Sequence, residues 1–221
     1  MTEYLELPKP RELFTFSSDE MNTFREFGQI AFADFNINEQ YELDTDLQPI
    51  NEKHSDLTAD VRSIVERCID GASIMLPSHV ILDIDTAPVL PLTAQRSPNW
   101  HVDTGMYHNE AIIFSDELPT MFAIGSLPKK HPIASMYESH MRSSLYGMHI
   151  TDSIWLLSKF QKQIDKAIKK GDLDVYIAPK DTALAIDRRH LHKAQKNTTK
   201  APVDRLFGRI RAVNRAVNLV S

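Results

Sequence analysis

The sequence contains almost no cysteine. Cys68 is the single one among 221 residues, so the chain cannot form an intrachain disulfide, and a disulfide-stapled secreted scaffold is excluded. Cys68 also lies among apolar residues at helical spacing, which is typical of a small core side chain. Because free thiols persist in reducing compartments, we expect a cytoplasmic protein.

Long apolar runs are missing as well. No segment approaches the roughly 20 apolar residues of a membrane-spanning helix, and residues 1–14 mix acids, bases and prolines where a signal peptide has an apolar core. The sequence has no internal repeat and no low-complexity segment. With 42% apolar and 25% charged residues, its composition is typical of one folded domain, and we expect no membrane partner.

Positive charge is concentrated near the end of the chain. Residues 188–215 contain nine Lys or Arg and one acid, whereas the whole chain has a formal net charge of −5. Such a segment forms a solvated surface, a phosphate-binding stripe or the lining of a pocket for small anions. Arg205, Arg209 and Arg211 alternate with apolar residues in a strand-like stretch, which places them on one face and favours a carboxylate-binding pocket.

Helical patterns dominate the first third of the sequence. Ser17 and Glu20 form a capping-box pattern that predicts a short helix after them, and residues 36–55 have the polar composition of a loop. A second helix is predicted from eight residues at helical spacing: Leu57, Val61, Ile64, Val65, Cys68, Ile69, Ala72 and Met75.

Strand-like runs dominate the rest. Short β-like segments are separated by Pro, Gly, Asp and Asn, which predicts a sheet sandwich or barrel; they are HVILDI, AIIF, DVYIA, TALAI and RLFGRIRAV. One helix interrupts them, over about residues 152–170, with Asp152 as its predicted cap and Gly171 at its end.

Two His-x-Asp matches occur, where about 0.7 would be expected by chance, so one match alone is weak evidence for a metal site. His54 and Asp56 precede the second helix, where Asp56 or Ser55 is more simply a helix cap. His101 and Asp103 lie in the β-rich half, where an i, i+2 pair points both side chains to one face of a strand. A third candidate pair, His108 and Glu110, has Gly105 between it and His101 and has the opposite parity.

A His-x-Asp pair supplies two of the three ligands of a 2-His-1-carboxylate facial triad, the usual site of non-haem Fe(II). The third ligand would be a distal histidine. His190 and His192 are both candidates, and strand alternation does not separate them because their parity is the same. The arginine-bearing strand follows about a dozen residues later.

At these positions the sequence resembles the Fe(II)- and 2-oxoglutarate-dependent oxygenases, and most of all their taurine dioxygenase-like branch. The resemblance is carried by Trp100-His101-Val102-Asp103, by Leu191-His192-Lys193-Ala194, and by the Arg205 to Arg209 pair in RLFGR. It implies that His101, Asp103 and His192 ligate Fe(II), and that Arg205 binds the C5 carboxylate of 2-oxoglutarate.

The resemblance also implies roles for three further residues. Thr120 in LPTMF resembles a threonine that helps to hold 2-oxoglutarate, at a shorter spacing from the His-x-Asp pair than in the family. Arg209 would face the substrate, and so would Trp100, whose alternative role is packing in the core. No separate acid–base residue is expected beyond the metal ligands.

The implied fold is α+β, mainly β: a double-stranded β-helix, or jelly roll, with flanking N-terminal helices and a helical insertion. We expect a single domain in which residues 1–76 form a helical and loop region packed on the core of residues 77–221.

The implied activity is a dioxygenase that uses O₂ and 2-oxoglutarate to hydroxylate or otherwise oxidise a C–H bond of a small molecule, producing succinate and CO₂. Two alternatives stay open: a non-catalytic jelly-roll binding protein, and an oxygenase that acts on nucleic acid through the basic segment 188–215.

Overall fold

The computed structural model describes residues 4–35, 40–44, 55–72, 79–95, 97–102, 110–137, 154–187 and 189–213. Over these residues the chain forms three long helices, a short helical segment at residues 132–137, and ten strands. The helices are α1 (Ser18–Phe35), α2 (Ser55–Ala72) and α3 (Ile154–Lys170). The strands are β1 (Tyr4–Leu7), β2 (Arg11–Thr15), β3 (Gln40–Asp44), β4 (His79–Asp85), β5 (Glu110–Ser115), β6 (Met121–Pro128), β7 (Asp174–Ile177), β8 (Thr182–Asp187), β9 (Leu191–Lys193) and β10 (Phe207–Val213).

The larger sheet is antiparallel, with the order β2-β8-β5-β10-β4-β3. In β10, Ile210 pairs with Leu82 on one side and Ile112 on the other. Residues that are directly paired across two strands have their side chains on the same side of the sheet, so these three share one face. That face packs on α1 and α2 in a buried apolar cluster that includes Phe24, Val65 and Cys68. Burial raises the pKa of the Cys68 thiol to about 12, as the predicted core position requires.

The smaller sheet is also antiparallel and consists of β1, β6, β7 and β9. Its outer face packs on α3, where Phe160, Ile164 and Ala167 contact Ala123 and Leu191 in a second buried cluster. The inner faces of the two sheets meet in a third cluster, which includes Phe122 of β6 and Phe207 of β10. The order of layers is therefore α1 and α2, larger sheet, interior, smaller sheet, α3.

Local sequence signals account for several element boundaries. The Ser17 hydroxyl accepts a hydrogen bond from the Glu20 backbone N–H (3.2 Å), and the Glu20 carboxylate accepts one from the Ser17 N–H (2.8 Å). This reciprocal pair confirms the capping box at the start of α1. Gly171 follows α3 at φ 77°, a conformation that glycine adopts without strain. Asp152 lies outside the described residues.

The stretch predicted as a loop over residues 36–55 contains a strand. Gln40–Asp44 pairs with β4 and forms the edge of the larger sheet. The segment is polar and short, so its local propensity favours a loop, but the exposed edge of β4 supplies backbone partners that a local pattern does not reveal. Strands β1, β2, β6 and β9 were likewise not predicted.

The expectation of sheets with helices packed outside is confirmed. Three of the strands come from the first 76 residues, and β1 and β2 pair with strands of the later segment. The division at residue 76 stays a prediction. Among the helices that the structure describes, none is long and apolar enough to span a membrane.

Gly208 is required where β10 passes the ring of Phe114. The two residues are register partners, and a Cβ on Gly208 would overlap the Phe114 side chain. The ring has little room to move, because its centroid lies 4.8 Å from that of Phe16 and 4.6 Å from that of Phe24.

We expect Gly208→Ala to lower the free energy of unfolding by about 1–3 kcal/mol, the usual cost of overpacking a core. Gly71→Ala in α2 is the control, since its Cβ would make ordinary contacts 3.5 Å from Phe14 and alanine favours a helix. Urea denaturation of both variants measures the effect. Equal stability of the two would contradict the assigned packing of Gly208.

Candidate functional site

A cavity of about 110 Å³ lies in the interior. It brings together five of the seven site residues predicted from sequence: His101, Thr120, His192, Arg205 and Arg209. Four other residues complete its lining, namely Ser97, Ile113, Ala194 and Phe207. The predicted residues come from separate segments of the chain, so the tertiary fold alone makes them neighbours.

His101 and His192 are paired in this cavity. Each backbone N–H donates a hydrogen bond to the other residue's carbonyl, both at 2.8 Å, and the ring centroids are 4.4 Å apart. The residues that flank them, Trp100, Val102 and Leu191, point to the outer cluster. Strand alternation therefore turns both imidazoles inward.

Backbone carbonyls fix the two imidazole rings. Nδ1 of His101 lies 2.8 Å from the carbonyl oxygen of Asn99, and Nδ1 of His192 lies 2.9 Å from that of His190. A carbonyl oxygen only accepts, so in each neutral ring Nδ1 carries the proton and Nε2 keeps its lone pair. This arrangement is typical of metal-ligating histidines, whose second nitrogen donates to a backbone carbonyl.

The third predicted ligand, Asp103, lies outside the described residues. Within the ranges that the structure covers, no group of three His, Cys, Asp or Glu side chains is placed to hold a metal ion. Both histidines line the cavity and have Nδ1 on a backbone carbonyl, which is the tautomer of a histidine that ligates a metal through Nε2. Asp103, two residues after His101, stays a predicted ligand.

His190 occupies a different environment from His192. Its Nδ1 lies 2.8 Å from the backbone nitrogen and 2.9 Å from the carboxylate Oδ1 of Asp187, and its ring meets Phe122 edge-on. Burial alone would raise the pKa of Asp187, but hydrogen bonds from Arg189 and the charge of His190 hold that pKa below its usual value. His190 does not line the cavity, which favours His192 as the distal ligand.

Arg205 is 1% exposed and its guanidinium is held from two sides. Nε donates to the carbonyl of Glu117 and Nη1 donates to Oε1 of Gln95, both at 2.8 Å. Gln95 is itself fixed by a hydrogen bond to Asp85 at 2.8 Å. The buried cation thus has a set orientation at the cavity wall, as bidentate binding of a carboxylate requires.

Asp116 supports the segment that carries Arg205. Its Oδ1 accepts hydrogen bonds from the backbone N–H groups of Leu206 (2.7 Å) and Glu117 (2.6 Å), and its other oxygen pairs with Arg25 of α1. Sequence reasoning missed Asp116, Gln95 and Glu117. Their partners are distant in the chain, and no local pattern marks such contacts.

Arg209 and Arg211 share one buried carboxylate. Nε of Arg209 donates to Asp83 Oδ2 at 2.8 Å, and Nη2 of Arg211 donates to Asp83 Oδ1 at 3.1 Å. Asp83 is 2% exposed. Both arginines thus lie on the same face of β10, as their spacing predicted, while Arg205 precedes the strand. Arg209, which is held by Asp83, also lines the cavity.

Trp100 does not line the cavity. It is 1% exposed and packs in the outer cluster against α3. Thr120 does line it and is buried, and its carbonyl accepts a hydrogen bond from the Ala178 N–H at 3.0 Å.

The remaining candidate pairs lie elsewhere. Asp56 falls in the first turn of α2, which begins at Ser55, and Glu110 begins β5. The capping role of Asp56 or Ser55 stays a prediction. His54 and His108 lie outside the described residues.

No family model and no curated protein matches this sequence. Solved structures to which this chain is similar include SnoK, described as a non-heme alpha ketoglutarate dependent carbocyclase from nogalamycin biosynthesis (TM-score 0.47, 13% identity, covering 98% of this chain and 84% of that one). They also include the Kdo hydroxylase KdoO, described as a non-heme Fe(II) alphaketoglutarate dependent dioxygenase (TM-score 0.43, 12% identity, 91% and 76%). A third is EctD from S. alaskensis with 2-oxoglutarate and 5-hydroxyectoine (TM-score 0.43, 14% identity, 96% and 72%). Since each TM-score is below 0.5, only the residues of this chain indicate what it does.

The surroundings of the two histidines lead to a prediction for metal binding. We expect His192→Ala to lose Co(II) binding, because it removes an inward-facing nitrogen donor, whereas His190→Ala keeps it. Equilibrium titration of each purified variant with Co(II), followed by its d–d absorbance, measures this. Loss of binding in the His190 variant alone would reverse the assignment.

Proposed function

We propose that this protein is an Fe(II)- and 2-oxoglutarate-dependent dioxygenase with a double-stranded β-helix core. It hydroxylates or otherwise oxidises a C–H bond of a small molecule and acts in the cytoplasm. The observation that carries the proposal is the convergence of His101, His192, Arg205 and Thr120 on one interior cavity. These residues supply metal ligands and a carboxylate anchor in one place.

His101, Asp103 and His192 hold Fe(II) in this proposal. When bound, Fe(II) supplies the activation of O₂, which is coupled to oxidative decarboxylation of 2-oxoglutarate so that R–H, O₂ and 2-oxoglutarate give R–OH, succinate and CO₂. The protein orients the two imidazoles through their carbonyl partners, Asn99 and His190. The hydrogen-bonded Nδ1 atoms hold their protons, so neither ring has to change tautomer when a metal binds.

Arg205 anchors the C5 carboxylate of 2-oxoglutarate, and Thr120 assists it. The cosubstrate has a carboxylate at each end. When one end lies near the histidines, the carboxylate at the other end needs a buried cation beside it. Arg205 suits this role because its partners, Glu117 and Gln95, hold the guanidinium before a ligand arrives. A preorganised fork loses little conformational freedom on binding.

Arg209 contacts the substrate. It reaches the cavity while its Nε is tied to Asp83, so its position is fixed by a buried ion pair and not by a flexible surface contact. It lies four positions after Arg205 and is held by Asp83, whereas Glu117 and Gln95 hold Arg205. Because different partners orient the two guanidinium groups, they recognise different ligand groups in this proposal.

The nucleic-acid alternative has less support. Arg205 is buried, and the side chains of Arg209 and Arg211 are only 22% and 17% exposed. Phosphate-binding stripes require accessible cations, whereas these three arginines face the interior.

The central experiment measures succinate formation from 2-oxoglutarate by the Fe(II)-loaded protein, with and without a library of small molecules. We expect slow turnover alone and faster turnover with a substrate. Binding of neither Fe(II) nor 2-oxoglutarate would reject the proposal in favour of a non-catalytic binding protein.

The choice between the two His-x-Asp matches is tested by their carboxylates. We expect Asp103→Ala to abolish Fe(II) binding and succinate formation, because it removes the sole anionic ligand of the proposed site. Asp56→Ala should retain both, since Asp56 lies in the first turn of α2. Iron content after anaerobic loading measures the first effect. Retention of iron by the Asp103 variant together with its loss in the Asp56 variant would exclude the assigned site.

The two arginines are separated by cosubstrate binding. We expect Arg205→Lys to weaken 2-oxoglutarate binding about 10- to 100-fold, the equivalent of losing a charge-assisted bidentate pair. Arg209→Lys should leave that affinity nearly unchanged and weaken substrate-stimulated turnover instead. Anaerobic titration of 2-oxoglutarate into the Fe(II) protein, followed by charge-transfer absorbance, gives the dissociation constants. The opposite pattern would exchange the two roles.

A further inference from the structure

We infer that Gln161 on α3 is a positioning residue for the metal ligand His101, an inference that rests on the proposed function. Its side-chain amide clamps the backbone of Trp100, the residue before the ligand. Oε1 of Gln161 accepts a hydrogen bond from the Trp100 N–H, and Nε2 donates one to the Trp100 carbonyl, both at 2.6 Å. A primary amide, which has a donor and an acceptor side by side, makes this pair of contacts.

The clamp takes the place of a neighbouring strand. Within an extended segment, the N–H and C=O of one residue point to one side and those of the next residue point to the other. Trp100 is bonded by Gln161 on one side, and His101 is bonded by the backbone of His192 on the opposite side. The short segment that carries the ligand is therefore paired along both edges.

One peptide unit transmits the contact to the ligand. The Trp100 carbonyl and the His101 N–H belong to the same planar unit. Gln161 Nε2 holds its oxygen, while the His192 carbonyl accepts its N–H at 2.8 Å. Rotation of this plane would break both hydrogen bonds together. The orientation of His101, and with it the separation of the two imidazoles, thus depends on α3.

The next turn of α3 also holds the Trp100 side chain. Asp165, four residues after Gln161, accepts a hydrogen bond from Trp100 Nε1 at 3.0 Å. Lys193, the residue after His192, lies over the Trp100 ring at 4.3 Å and has its Nζ 3.9 Å from Asp165 Oδ1. One face of α3 therefore contacts Trp100, the residue before His101. Through Asp165 and the Trp100 ring it also contacts Lys193, the residue after His192.

The test uses metal affinity in the absence of turnover. Gln161→Glu keeps an acceptor for the Trp100 N–H but replaces the donor with an oxygen that faces the Trp100 carbonyl. Gln161→Met removes both hydrogen bonds without adding charge. We expect each variant to bind Co(II) about 10- to 100-fold more weakly than the wild type, the range typical for loss of a contact that supports a metal ligand, with a shifted d–d spectrum.

Gln163→Glu is the matched control, since it places the same change of charge on the same helix at another half-buried position. It should bind Co(II) with wild-type affinity and spectrum. Thermal unfolding of all apo variants is measured alongside, and Co(II) titrations are run well below the lowest midpoint, so that lost affinity reports the site and not lost folding.

The outcomes are distinct. Wild-type Co(II) affinity and spectrum in both Gln161 variants would overturn the positioning role, even if their unfolding temperatures fell. A wild-type protein that binds neither Co(II) nor Fe(II) would overturn the proposed function itself. Weaker Co(II) binding in both Gln161 variants but not in Gln163→Glu supports the inference.

Discussion

The paired backbone hydrogen bonds between His101 and His192 are the interaction on which the candidate site depends. They join two segments that are far apart in the chain and fix the rings 4.4 Å apart. Each segment has alternating side chains, so the same two bonds place the imidazoles in the interior and Trp100 and Leu191 in the outer cluster. A change in register by one residue would reverse both faces and remove the site.

Burial of arginine is the second constraint on the interior. A guanidinium removed from water must have hydrogen-bond partners, and the fold supplies them from different elements. Glu117 and Gln95 hold Arg205, while Asp83 holds Arg209 and Arg211. The basic segment near the end of the chain thus contributes Arg205 and Arg209 to the cavity lining. The proposed dicarboxylate cosubstrate is preferred over a nucleic acid because these cations are buried or half-buried.

The helices outside the sheets support the site as well as the core. Arg25 of α1 pairs with Asp116, which in turn holds the backbone beside Arg205. Gln161 and Asp165 of α3 hold Trp100 beside His101. Each sheet therefore has a helix whose polar side chains support a segment next to a cavity residue, directly in α3 and through Asp116 in α1. Such contacts restrict the geometry of ligands more strongly than apolar packing alone, because hydrogen bonds are directional.

The sequence by itself determined the features that arise from short-range pattern. Spacing predicted α2, and the capping box marked the start of α1. Alternation placed Arg205, Arg209 and Arg211 on one strand face, but Arg205 precedes the strand and only Arg209 and Arg211 lie in it. The motif around His101 and the segment from His192 to Arg205 supplied candidate ligands. Strand parity did not separate His190 from His192, and the family resemblance favoured His192. The tertiary structure adds different surroundings, with His190 against Asp187 and His192 against His101. It alone also revealed strand β3, the partners that hold Arg205 and the Gln161 clamp, because the groups that form these hydrogen bonds come from segments brought close by folding.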